Sequence, residues 1–154
     1  MKQEMSRRMR ISSRMIVAGC SLYAVYGILA AVFRESIAVY QYRAFSGGDL
    51  GTLVESSQHF TFDLVLLVGL LGAGLSICAG ALFWLAFTRR LGSAFILVLV
   101  ASFVGLAPLS TVHMAQGAWI LFMVDGICLA PIAVGLLFGI REIPKIFRGK
   151  GEGA

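Results

Sequence analysis

Polar and apolar positions fall into long blocks along this chain, without the period-2 or 3.6-residue alternation of a half-buried strand or helix. Four blocks are apolar for close to twenty residues, 15–33, 64–87, 91–109 and 118–140. No Lys, Arg or His lies inside any of them, and the fourth is interrupted by one charge, Asp125. About twenty apolar residues cross the roughly 30 Å hydrocarbon core of a bilayer as a helix. In lipid each backbone N–H and C=O must be satisfied within its own segment, which selects helices. The pattern therefore predicts an all-α integral membrane protein, a four-transmembrane-helix antiparallel bundle. It divides into a basic tail (1–14), a membrane domain (15–140) and a second basic tail (141–154).

Composition agrees. The chain is 58% hydrophobic and 14% charged, with mean hydropathy +0.87, more apolar surface than a soluble fold of this size can hide. Net charge is +5, and its placement is informative. Eleven of the thirteen basic residues flank the blocks on one side, in the two tails and at Arg89–Arg90, and only Arg34 and Arg43 fall on the other. By the positive-inside rule both termini are cytoplasmic. Arg and Lys beside apolar runs suit anionic lipid headgroups, and no basic groove with interleaved aromatics suggests nucleic acid. Terse loops and small size suggest a bacterial inner membrane. A cleaved signal peptide is the competing reading of the N-terminus. The first block is long for one and no A-x-A site follows, which favours a retained signal-anchor helix.

The outer loop, 34–63, is the one sizeable segment outside the blocks. Ile37, Tyr40 and Ala44 at helical spacing predict a helix that extends the first span or lies on the surface. Gly47–Gly48 breaks it, Asp49 is placed to cap a short turn, and Asp63 stands where a carboxylate favours the N-terminus of the second span. The link 110–117 is read as a short outer loop.

Candidate chemistry is sparse. Asp125 is the most informative residue, since a carboxylate within a span costs about 2.5–3.5 kcal/mol and must face protein or water. Counting inward from the outer ends, Tyr26 and Ser102 lie at the same depth, and either hydroxyl can bond it. Three roles are open for Asp125: internal hydrogen-bonding glue, a contact with another subunit, or ion and proton handling. Pro131, six residues later, adds the prospect of a kink. Small residues four apart mark helix-packing rows, Gly72–Ser76–Gly80, Gly126–Ala130 and Gly135–Gly139 in the second and fourth spans, with Gly27–Ala31 and Ala101–Gly105 elsewhere. His59 and His113 are read as outer-side loop histidines. Cys20, Cys78 and Cys128, each alone in a different block, are read as packing residues. No metal or cofactor pattern and no catalytic motif stands out. The function expected is an accessory, assembly or scaffolding subunit of a larger membrane complex. The alternative is a small proton-coupled transporter using Asp125, as a homo-oligomer. An enzyme is not expected.

Overall fold

A computed structural model describes residues 7–88, 96, 98, 100 and 107–140. Every element among them is helical: α1 (Arg7–Val32), α2 (Arg34–Ser46), a 3₁₀ turn (Leu50–Thr52), α3 (Glu55–Thr88), α4 (Ala107–Ala115) and α5 (Trp119–Ile140). Three helices are long and apolar enough to cross a membrane, over Arg7–Val32, Glu55–Leu85 and Trp119–Gly139. Most of the predicted third span, together with Ala101, Ser102, Gly105, the Arg89–Arg90 link and the C-terminal tail, lies outside the described residues.

α1 is the most buried of the three and packs against both α3 and α5. Glycines set the distances. A Cβ placed on Gly27 would stand 2.5 Å from the Gly69 carbonyl oxygen, and one on Gly69 would stand 2.7 Å from the Gly27 oxygen. The two backbones therefore touch, as small residues permit where no hydrophobic force joins helices in lipid. Further along, a Cβ on Gly80 would stand 3.2 Å from Cys20 Cβ. Against α5, a Cβ on Gly135 would fall 2.6 Å from Ile16 Cγ1 and 2.9 Å from the Ser12 oxygen, and Gly19 faces Cys128 and Ile132. The Ser12 hydroxyl donates to the Gly135 carbonyl at 2.6 Å. α1 thus runs antiparallel to α3 and also to α5. The buried core between them contains Ile16, Cys20, Tyr23, Phe83, Cys128 and Ile132. The outward faces carry exposed Leu, Ile, Val and Phe along their length, a surface that lipid or a partner must cover.

The segment 34–63 is far more regular than a loop. α2 continues α1 through a bend at Phe33, whose φ of −98° and ψ of 28° leave the helical region. Hydrogen bonds nevertheless run across it, from Phe33 N–H to Leu29 and from Ile37 N–H to Phe33. α2 ends at Gly47, whose positive φ of 68° lets its N–H return to the Arg43 carbonyl. Asp49 caps the 3₁₀ turn, accepting from Gly51 N–H at 3.1 Å. α3 begins at Glu55, nine residues before the predicted second span. Asp63 is therefore inside the helix and is no cap; its carboxylate accepts a 3.5 Å hydrogen bond from the exposed Arg34 guanidinium instead. Polar residues misled the boundary, because the first turns of α3 stand clear of the apolar block.

Candidate functional site

The largest departure from the sequence reading is at the α4–α5 turn. α4 runs on to Ala115, through the segment 110–115 expected to be loop. Its end is marked by Gly117, at φ 70°. Gly117 N–H bonds the Met114 carbonyl at 3.1 Å and Ala118 N–H bonds the His113 carbonyl at 2.9 Å. This is the double hydrogen-bond pattern of a glycine-terminated helix. α5 then starts at Trp119, and the Tyr40 hydroxyl of α2 accepts from Ile120 N–H at 3.2 Å, satisfying one of the free donors at the new helix start.

This hairpin brings His113 and Asp125 together. On α5 the buried stripe is Leu121, Asp125, Cys128, Ile132 and Leu136, so Asp125 occupies a core-facing position about 9 Å below the helix start at 1.5 Å per residue. On α4, Ser110 and His113, three apart, form the buried face. His113 Nδ1 lies 2.6 Å from Asp125 Oδ2, with the residues 2% and 0% exposed. His113 is thus no loop histidine. Asp125 pairs with it and makes no hydrogen bond to the Tyr26 expected from depth, while Ser102, the other residue expected there, lies outside the described residues. Such total burial leaves no carboxylate facing outward for another subunit.

The protonation pattern follows from the third member. The Gln41 amide nitrogen, on α2, stands 3.2 Å from His113 Nε2. An amide nitrogen only donates, so this placement of Gln41 fits the tautomer in which Nε2 accepts and Nδ1 carries the proton towards Asp125. Nδ1–H then donates to Asp125. Gln41, His113 and Asp125 form a directional chain through α2, α4 and α5. The second carboxylate oxygen, Oδ1, is buried with no hydrogen-bond partner.

Beside this chain is a cavity of about 600 Å³ bordered by α1 to α5 and by Val98 and Val100. His113, Gln41 and Gln116 line it, with Tyr26, Tyr23 and Ser76 as further polar groups and Leu, Val and Gly of α3 as apolar wall. The Tyr23 and Tyr26 rings meet edge to face, centroids 6.3 Å apart. The Tyr23 hydroxyl approaches Ser110 without reaching hydrogen-bond geometry. Among the described residues this is where buried polar side chains gather. His59 is exposed, 3.7 Å from Glu55 one turn away and edge to face with Phe62. No three His, Cys, Asp or Glu side chains among the described residues lie together as a metal would need.

The small-residue rows divide. Gly80, Gly135 and Gly139 face the bundle, Gly72 and Ser76 line the cavity, and Gly126 and Ala130 face outward with open space beyond Gly126. Gly19 and Gly69, which the sequence reading passed over, make two of the closest contacts. Pro131 is accommodated inside α5. All three cysteines are free thiols, Cys20 and Cys128 buried and Cys78 exposed.

No known family model, curated protein or solved structure matches the chain, so function is read from its own geometry.

Proposed function

We propose that this is a four-span membrane protein, both termini cytoplasmic, that moves protons or a proton-coupled solute through the His113–Asp125 site. The fourth crossing is supported by helix direction. α3 and α5 both run antiparallel to α1, so α3 ends and α5 begins at opposite ends of α1, as a crossing between them would require. Exposed Arg7, Arg8, Arg10 and Arg14 on the first turns of α1 support an inner-membrane orientation with basic residues against anionic headgroups.

The observation that carries the proton reading is the Gln41–His113–Asp125 chain opening on the cavity. An ionisable pair at membrane depth is a functional-site hypothesis by default. A proton arriving at His113 Nε2 gives an imidazolium, held by the Asp125 carboxylate on its far side. Nε2 then becomes a donor and faces the donor nitrogen of Gln41. The Gln41 amide must turn its oxygen inward or α2 must lift. Protonation is thereby coupled to the helix that covers the outer end of the bundle.

The test is flux. Purified protein in liposomes under a pH gradient should dissipate it, and Asp125→Asn and His113→Ala should each abolish that flux. Wild-type flux in Asp125→Asn removes the proposal.

The second reading, an accessory or scaffolding subunit without enzyme activity, is favoured by the outward row on α5. Gly126 meets nothing, Ala130 is exposed, and Trp119, Ile120, Met123 and Ile127 beside them are exposed as well. A stoichiometric partner recovered in mild detergent and lost on Gly126→Leu/Ala130→Leu supports this reading, whereas a partner-free chain that carries flux excludes it.

A further inference from the structure

α2 stands against the proton site as a crossbar. Its backbone packs along α3 and the 3₁₀ turn, and its hydrogen bonds to the α4–α5 hairpin come from two neighbouring side chains. The Tyr40 hydroxyl accepts from the Ile120 N–H of α5, and the Gln41 amide stands against His113 of α4, each at 3.2 Å. Ala118, just before α5, has no side-chain oxygen to cap that helix, so the start of the helix that carries Asp125 is capped from α2. Ile37 and Gln41, one turn apart, are the part of α2 that borders the cavity. Ala38 is the one buried residue of α2, and both its ends leave helical geometry, at Phe33 (φ −98°, ψ 28°) and at Gly47 (φ 68°).

In the tautomer that Gln41 fits, His113 Nε2 is already occupied as an acceptor, and His113 is 2% exposed. An amide nitrogen donates but passes no proton on. Nε2 therefore takes up a proton only when Gln41 leaves it, and Nε2–H then faces the amide nitrogen donor to donor. One of the two ties is lost with protonation. Among the described residues, the other titratable groups around the pair and the cavity are Cys20, Tyr23 and Tyr26 of α1, Tyr40 of α2 and Cys128 of α5. Such thiols and phenols ordinarily ionise above about pH 8. The cavity wall of α3 carries no ionisable side chain. On α2, Glu35 and Arg43 are exposed, and Arg34 pairs with exposed Asp63.

From this we infer that α2 is a proton-operated gate. Protonation of His113 releases Gln41, and α2 swings on Phe33 and Gly47 away from the α4–α5 hairpin, staying on α3 and opening the cavity at that end. Tyr40 is the latch that holds it shut. The gate rests on the reading of His113–Asp125 as a proton site and names the element that controls access to it.

The experiment is a distance measurement on the full chain in lipid nanodiscs. Nitroxides at Phe45→Cys on α2 and Ala115→Cys on α4, both exposed, are read by double electron–electron resonance in a Cys78→Ala background, where Cys20 and Cys128 are buried. The comparison is between about pH 8 and about pH 5, the range over which histidine changes charge. A longer-distance population is expected at the lower pH, and its appearance is lost in His113→Gln. Tyr40→Phe should raise the longer population at the higher pH about threefold to tenfold, the worth of one hydrogen bond. Glu35→Gln and His59→Asn should leave the pH response unchanged. His113→Asn replaces the Gln variant if that change exposes Cys20 and Cys128 to maleimide. One distance at both pH values overturns the gate. So does a response that survives loss of His113, or a Tyr40→Phe protein indistinguishable from wild type. Asp125-dependent flux with a fixed distance removes the gate and leaves the proton reading standing. His113-dependent movement without flux keeps the gate and removes transport.

Discussion

Replacing His113 with Ala leaves the Asp125 carboxylate fully buried with neither oxygen paired. In an aqueous domain, stranding one partner of a buried pair costs about 3–5 kcal/mol. The bilayer reduces that figure, because a helix already inserted in lipid finds other partners when the bundle opens. Neutral interhelical bonds measured there average about 0.6 and reach about 1.7 kcal/mol. The 2.6 Å separation to a carboxylate places this bond at the charge-assisted, stronger end. The expected loss is therefore about 1.5–3 kcal/mol, or about tenfold to 150-fold in the opening equilibrium. Asp125→Asn should cost less, since its amide oxygen still accepts from Nδ1–H. Removing both polar groups together, His113→Leu with Asp125→Val, should restore most of the stability, because no polar atom is then left without a partner. The free thiols supply the assay. In a Cys78→Ala background the remaining cysteines, Cys20 and Cys128, are both buried in the core. Their reaction with a fluorogenic maleimide on heating reports bundle opening. A double variant destabilised by at least the sum of its single changes would refute the reasoning.

Two further outcomes follow from the glycines and from Ser12. Gly135→Val should prevent close packing of α5 on α1, given the 2.6 Å and 2.9 Å approaches of a Cβ there, whereas Gly126→Val meets open space and should leave thiol protection unchanged. Ser12→Ala removes the 2.6 Å bond to the Gly135 carbonyl and should cost about 1 kcal/mol by the same assay, with wild-type protection counting against that bond.

The membrane class was legible because hydropathy is a property of whole segments. The sequence also singles out Asp125 as a carboxylate that has to face inward, since a charge within an apolar block has few alternatives. Its partner was hidden by the same logic. Ser110, Thr111 and His113 lower the hydropathy of 110–115 and read as loop, yet Ser110 and His113 turn their polar groups into the bundle and the helix continues. The usable signal was Gly117, the glycine that terminates α4. With the helix extended to it, Asp125 falls twelve residues after His113 across a tight hairpin. Gln41 is beyond any local pattern, because it reaches His113 only when α2 packs against the α4–α5 turn. Spacing alone marked the small-residue rows, but not which face each one presents. Gly135 and Gly126 differ only in what stands opposite.

The central claim is that His113 donates from Nδ1 to Asp125 within the bilayer. The chain has two histidines, so ¹⁵N-histidine labelling with His59→Asn isolates one ring for solid-state NMR in lipid. The account predicts a single tautomer with the proton on Nδ1, strongly hydrogen-bonded, and a marked change of that signal in Asp125→Asn. A ring that behaves as a freely hydrated imidazole, or a signal indifferent to Asp125→Asn, would contradict it.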